Sequence, residues 1–324
     1  MVNMGSKDMR LILSGKRISQ LEHIKESQGI SIKTTVDLEL QKFAQDLLKD
    51  QAGSICVMDI YTGEVIVMAS SPTYDPNKFT HGIGHKDWGK IRDNPLKPLV
   101  NKSIAGLYSP GSTLKPLVAL AALEFGTIDP EKAIQCKGHK HPYELYGVKY
   151  HCWKKHGHGY MKLRNAIKQS CDIYFYEMAR ILGVDKLSII AKRYGLGSNI
   201  LKDIYFDEKK GVVPNTEWKK NAIGKSWYLG ETVINGIGQG YIQTTPLQLC
   251  LMTAQIANGG YKIKPHILYD ENINFENSKL QIAKQSLKES IIENPIAEEN
   301  YLEDREFQLY ERLYKNPKNI NFVK

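Results

Sequence analysis

Pro110-Gly111-Ser112-Thr113-Leu114-Lys115-Pro116-Leu117-Val118-Ala119-Leu120-Ala121-Ala122-Leu123-Glu124-Phe125-Gly126 is the stretch on which the fold turns. After Ser112 it is apolar almost all round, and Gly126 follows as a helix-ending residue, so the spacing predicts a helix that lies in the core. Ser112-Thr113-Leu114-Lys115 is the only S-x-x-K in the chain, although composition alone would give about two. On one helix turn, residues three apart share a face, so Lys115 can reach the Ser112 hydroxyl. A lysine entering the core at that point needs a reason, and a base for a serine nucleophile is one. The plain alternative is an N-cap serine beside an exposed lysine.

Outward from this helix the chain alternates strands and helices. Asp37 is placed to cap a helix ending near Asp50, with Leu40, Phe43, Ala44, Leu47 and Leu48 on one face. The runs 55–60 and 64–68 flank Tyr61-Thr62-Gly63 and predict an antiparallel hairpin. The segment from Ser71 to Gly111 is rich in Pro, Gly, Asn and His and reads as a long surface loop system, a class of loop that is usually functional. Further helices are expected over 163–182 and 185–194. Thr245-Pro246-Leu247-Gln248 starts another with a capping box, ending at Asn258-Gly259. Residues 1–30 lack convincing periodicity, and 303–314 fit an amphipathic helix.

Composition excludes several classes. The 324 residues are 42% hydrophobic and 24% charged, ordinary for a globular chain. No window approaches the ~18–20 apolar residues of a membrane span, and the first twenty residues lack a signal-peptide pattern. The net charge of +9 comes from basic residues interleaved with acids rather than clustered in a groove. That argues against nucleic acid as a partner.

Ser112-Thr113-Leu114-Lys115, Ser170-Cys171-Asp172, Gly236-Ile237-Gly238-Gln239-Gly240-Tyr241 and the Thr245-Pro246-Leu247-Gln248 helix start together resemble the transpeptidase domain of class B penicillin-binding proteins, elongation type, over roughly 30–270. The resemblance implies a mixed α/β (α+β) chain of the serine β-lactamase/D,D-transpeptidase-like fold. It implies Ser112 as the acylated nucleophile, Lys115 as its proton acceptor, Ser170 as a proton relay, and Asp172 where many relatives have Asn. A helix-capping role for Ser170 and Asp172 holds beside that one. The implied reaction cross-links peptidoglycan stem peptides through an acyl-serine, which β-lactams intercept. Implied partners are the stem peptide, β-lactams and membrane proteins of the elongation complex, at the periplasmic face of the bacterial inner membrane.

The family's third element, Lys-Ser/Thr-Gly, does not occur: Lys33-Thr34-Thr35, Lys102-Ser103-Ile104 and Lys225-Ser226-Trp227 lack the glycine. By the resemblance, residues 1–30 are the remnant of a pedestal domain, and 31–324 are a transpeptidase domain incomplete at its C-terminus. A second polypeptide would then have to supply the missing strands. The expected alternatives to an enzyme domain inactive alone are a non-catalytic remnant or zinc-stabilised binding module, and, more weakly, a β-lactamase.

Cys136, Cys152, His158 and Cys171 form a C-x15-C-x5-H-x12-C series, a donor set that suits structural zinc. The resemblance supports zinc in this segment. A Cys136–Cys152 disulfide remains open, as does replacement of His158 by His139, His141, His151 or His156. Cys56 and Cys250 read as packing cysteines.

Overall fold

The computed structural model describes residues 31–269 except 50, 81, 202 and 203, together with the backbone of two short antiparallel strands, β1 (Met9–Leu11) and β2 (Arg17–Gln20). Residues 1–30, in which periodicity gave no element, thus contribute a small strand pair. The helix expected over 303–314 lies outside the described residues.

Asp37 caps α1 (Leu38–Leu47), accepting from the amides of Glu39 and Leu40 at 3.0 and 2.9 Å. The hairpin follows as β3 (Gly53–Met58) and β4 (Val65–Ser71), antiparallel, with Ile55 opposite Ala69 and a register shift between Val57 and Met58. Its tight end needs a residue with positive φ, and Gly63 supplies it at +80°. A Cβ there would also strike the Lys264 carbonyl at 2.7 Å. α1 closes the outer edge of β4 with side chains. The Gln41 amide receives the Met68 N–H at 2.9 Å and donates to the Met68 carbonyl at 3.1 Å, and Gln45 donates to the Ser70 carbonyl. A glutamine used this way satisfies an edge that would otherwise offer free ladder groups. Only part of the expected α1 stripe is covered. Ala44 is buried on Val67 and Ala69, whereas Leu40, Phe43 and Leu47 are exposed among the described residues.

The segment after β4 is less irregular than its composition suggests. It holds a 3-10 turn at Pro76–Phe79 and two helices, α2 (His85–Arg92) and α3 (Lys102–Ala105). A second 3-10 turn, Gly111–Leu114, leads into α4 (Lys115–Glu124), whose Leu117, Val118, Ala119, Ala121 and Ala122 are all buried. The helix starts at Lys115, so Ser112 sits in the turn before it and is not its N-cap.

Four short strands interleave next: β5 (Ile134–Cys136), β6 (Tyr143–Leu145), β7 (Val148–Tyr150) and β8 (Gly159–Met161), with β5 paired to β8 and β6 to β7. The helix expected over 163–182 is two helices, α5 (Leu163–Lys168) and α6 (Asp172–Leu182). α5 ends in a Schellman motif, with Cys171 N–H on the Ala166 carbonyl and Ser170 N–H on the Ile167 carbonyl. Ser170 takes the left-handed position at φ 51°, where glycine is usual. α7 (Val184–Arg193), α8 (Thr216–Ile223), α9 (Leu229–Asn235) and α10 (Pro246–Ala257) complete the order. α10 starts with the reciprocal Thr245/Gln248 box at 3.2 and 3.1 Å.

Two cores result. One gathers α4, α5, α6, α7 and α9 around Leu117, Phe175, Met178 and Val233. The other joins the hairpin to α3 and α10 through Met58, Val65, Ile104, Leu247 and Leu251, and is closed by Ile263 and Ile267 as the chain returns past β4. Ser112 stands where these cores meet, because α4 belongs to the first while Tyr108, four residues earlier, is bridged to Thr244 beside α10 of the second. No helix among the described residues is long and apolar enough to cross a membrane.

Candidate active site and metal cluster

The break between α5 and α6 aims the second motif at Lys115. Lys115 is 2% exposed, and its ammonium reaches Asp172 Oδ1 at 2.6 Å, Ser170 Oγ at 2.9 Å and the Ser170 carbonyl at 2.9 Å. An ammonium has three donors, so this set satisfies it completely. Asp172 is buried as well, and its second oxygen accepts the Trp153 backbone N–H at 2.9 Å. The Trp153 indole N–H donates to the Ser170 carbonyl at 3.0 Å. That carbonyl therefore receives both Lys115 and Trp153, which secures Ser170 in its left-handed conformation. The structure brings Lys115, Ser170 and Asp172 together in one bonded set. Ser112 lies exposed on the adjoining turn, three residues before Lys115. The donors of Lys115 point to the second motif, not to the Ser112 hydroxyl.

The Ser112 turn rests on the glycine loop. Gly111 donates to the Gly238 carbonyl at 2.8 Å, and a Cβ on Gly238 would stand 2.1 Å from the Gly111 carbonyl oxygen, with φ +70°. Gly238→Ala is expected to lose about 1–3 kcal/mol to overpacking and about 1 kcal/mol or more to left-handed strain, read as a lower midpoint in urea unfolding. It should also displace Ser112.

Beside the second motif lies a soft-donor cluster. The sulfurs of Cys136, Cys152 and Cys171 and a ring nitrogen of His158 all fall within 4.8 Å of one another. His158 Nδ1 is 3.6 Å from Cys136 Sγ and 3.5 Å from Cys152 Sγ. Ligands about 2.0–2.3 Å from one tetrahedral ion lie roughly 3.5–3.8 Å apart, so these separations suit a shared ion. His158 Nε2 is buried without a partner, and the three cysteines are buried free thiols, with no disulfide between Cys136 and Cys152. The hydrogen bond from Cys171 draws the Cys152 thiol down to about 5, and the same bond together with burial pushes Cys171 up. Of the other histidines, His139 instead bonds the Cys152 carbonyl at 2.7 Å and packs its ring on His151. Cys171 ties the two sites together, because its sulfur is in the cluster while Ser170 and Asp172 on either side hold Lys115.

Residues that sequence reasoning passed over also build the site. Trp153 carries no motif signal beyond its position after Cys152. Outside the site, buried Lys219 and its partner Glu231 lie twelve residues apart in sequence, with no spacing rule to join them.

Comparison with known proteins is consistent throughout. The penicillin binding protein transpeptidase domain family matches residues 53–296. A peptidoglycan D,D-transpeptidase MrdA of Acinetobacter baumannii is 39% identical over 243 residues, 75% of this chain and 36% of its own length. The MrdA of Escherichia coli K12 is 36% identical over 266 residues, 82% of this chain and 41% of its own length. This chain therefore spans well under half the length of these curated relatives. Among solved structures, Pseudomonas aeruginosa PBP2 in complex with WCK 5153 superposes with a TM-score of 0.70 at 38% identity, covering 80% of this chain and 62% of that one. Helicobacter pylori PBP2 in complex with MreC gives 0.69 at 32% identity, covering 86% and 52%.

Proposed function

We propose that this chain, which belongs to the penicillin-binding protein transpeptidase family, carries the acylating residues of a peptidoglycan D,D-transpeptidase. The observation that carries the reading is the bonded set of Lys115, Ser170 and Asp172 beside the exposed Ser112 turn. Lys115 first passes one proton to Asp172 Oδ1, its partner at 2.6 Å; Ser112 Oγ then attacks the penultimate D-Ala carbonyl of a stem peptide, and its proton passes to the Lys115 amine. The C–N bond to the terminal D-Ala then breaks, and the leaving amine takes that proton through Ser170. An amine of a neighbouring stem peptide resolves the ester, forming the new amide and returning the proton to Ser112. A β-lactam opens on the same oxygen. Partners in this reading are the stem peptide and, by analogy with the MreC complex of the Helicobacter pylori protein, membrane proteins of a cell-elongation assembly at the periplasmic face.

The test is acylation by a fluorescent penicillin. The adduct should map to Ser112 and vanish in Ser112→Ala, and an adduct that persists in that variant overturns the assignment. No Lys-Ser/Thr-Gly occurs in these 324 residues, and in the resembled fold that strand gives one of two oxyanion donors. Loss of one donor slows acylation about 10²–10³-fold. We therefore expect the polypeptide of these 324 residues to label at least that much more slowly than Pseudomonas aeruginosa PBP2. A second polypeptide carrying such a strand should restore the rate. Failure to label even then would favour a non-catalytic, zinc-stabilised binding module, a reading that the soft-donor cluster supports.

Zinc is the proposed occupant of Cys136, Cys152, His158 and Cys171, since thiolate and imidazole donors at tetrahedral separations suit it. Its role is structural, because four protein ligands leave no open position for chemistry. Metal analysis of protein prepared without chelator should give about one zinc per chain, and a ratio near zero defeats the assignment.

A further inference from the structure

Away from the nucleophile and the metal cluster, one group of side chains is unusually well built for a surface. Lys219 is 1% exposed, and both Glu231 oxygens accept from its ammonium, Oε2 at 2.6 Å. Three rings surround that ammonium: Tyr228 at 4.4 Å, and Trp227 and Tyr241 at 5.8 Å each. Glu231 also accepts the Tyr228 backbone N–H at 2.8 Å, and the Trp227 indole donates to Thr232 at 2.7 Å. Trp218 packs on Tyr241 with ring centroids 5.5 Å apart. The rings are fixed from beneath, yet Tyr228 remains 62% and Tyr241 38% exposed.

The chemistry of this ledge selects its ligand. The Lys219 charge is balanced by Glu231, so the exposed rings of Tyr228 and Tyr241 present aromatic surface over a neutralised pair. Rigid, exposed aromatic faces with polar edges attract the C–H faces of pyranose rings, whose hydroxyls stay in water. The position is suitable too. Tyr241 lies three residues after Gly238, which is bonded to Gly111 next to Ser112. Three residues of extended chain reach at most about 11 Å.

We infer that Tyr228 and Tyr241 form a stacking subsite for the uncharged glycan strand from which the stem peptide hangs, holding it while Ser112 reacts. The inference rests on the acyl-transfer reading and deepens it. The probe is the N-acetylglucosamine tetramer, titrated into the full chain with tryptophan emission as the signal, since Trp218 and Trp227 adjoin Tyr241. A saturable change is expected, weakened about tenfold in Tyr228→Ala and preserved in Tyr228→Phe. It should be unaltered in Ser112→Ala. No saturable change with the parent chain, or equal binding by Tyr228→Ala, overturns the inference. Tyr228→Leu, with matched circular dichroism, guards against a folding artefact and should behave as the alanine variant does. Sugar binding with no acylation even when a second polypeptide supplies the missing strand would sink the acyl-transfer reading alone, and acylation without sugar binding would sink only the subsite.

Discussion

Asp172→Ala is expected to destabilise the protein by about 3–5 kcal/mol, because it leaves the Lys115 ammonium in the core without its counter-charge. Lys115 is 2% exposed, and its ammonium holds Asp172 Oδ1 at 2.6 Å. For a domain of this size that loss corresponds to a fall in melting temperature of roughly 6–20 °C. The Trp153 backbone N–H would lose its partner as well, so the region beside the second motif should loosen. The double variant Lys115→Met, Asp172→Ala separates stability from chemistry. With both charges gone, most of the lost stability should return, since a buried pair replaced by apolar groups is often neutral. Labelling of Ser112 should not return, because no proton acceptor remains. If the single variant melts like the parent protein, Lys115 and Asp172 are not the buried pair that holds this junction.

Removal of the proposed zinc is the second large effect. A ligand present at a thousandfold excess over its Kd stabilises by about 4 kcal/mol, which for this size means roughly 8–16 °C. Chelation, or Cys152→Ser, should therefore lower the melting temperature by an amount in that range, followed by differential scanning fluorimetry with and without added zinc. The sign with pH follows from the thiols. In the metal-free protein the hydrogen bond to Cys152, together with burial, pushes the Cys171 thiol up. Zinc takes Cys136, Cys152 and Cys171 all as thiolates and His158 as neutral imidazole, so uptake should release protons and affinity should fall as the pH is lowered. A pH indicator in weak buffer measures the release directly. A melting temperature indifferent to chelator would mean that the four donors pack without an ion.

Much of this was legible in the residues. Asp37, Thr245 and Gln248 announce helix starts because capping is local, and the hairpin is legible because Gly63 and the apolar runs around it act over a few residues. The four soft ligands were legible because thiols and imidazole are rare enough for a loose series to stand out. What stayed hidden depends on distant contacts. The break at Ser170 interrupts a continuous apolar pattern with a serine in place of the usual glycine, and it is held by Lys115 and Trp153 from elsewhere in the chain. The four short strands over 134–161 are too brief to show a period. The Lys219–Glu231 pair arises only when α8 meets α9. Exposure of Leu40, Phe43 and Leu47 was likewise unreadable, since a stripe at helical spacing does not say how much of it is covered.

The return of the chain past β4 sets a clock on assembly. Val65 N–H pairs with the His266 carbonyl, Thr35 N–H with the Ile267 carbonyl, and Ile263 and Ile267 complete the core over the hairpin. The contacts of the cysteine cluster, by contrast, all fall between residues 136 and 171. On a ribosome adding about 5–20 residues per second, the hairpin would wait roughly 10–40 s for its last packing partners. The cysteine cluster can close well before then, whereas the core around Phe175 also waits for Val233 of α9. During that interval Val65 and Met58 lack part of their cover, so a chaperone or a neighbouring nascent chain would find its opportunity at the hairpin and not at the cysteine cluster.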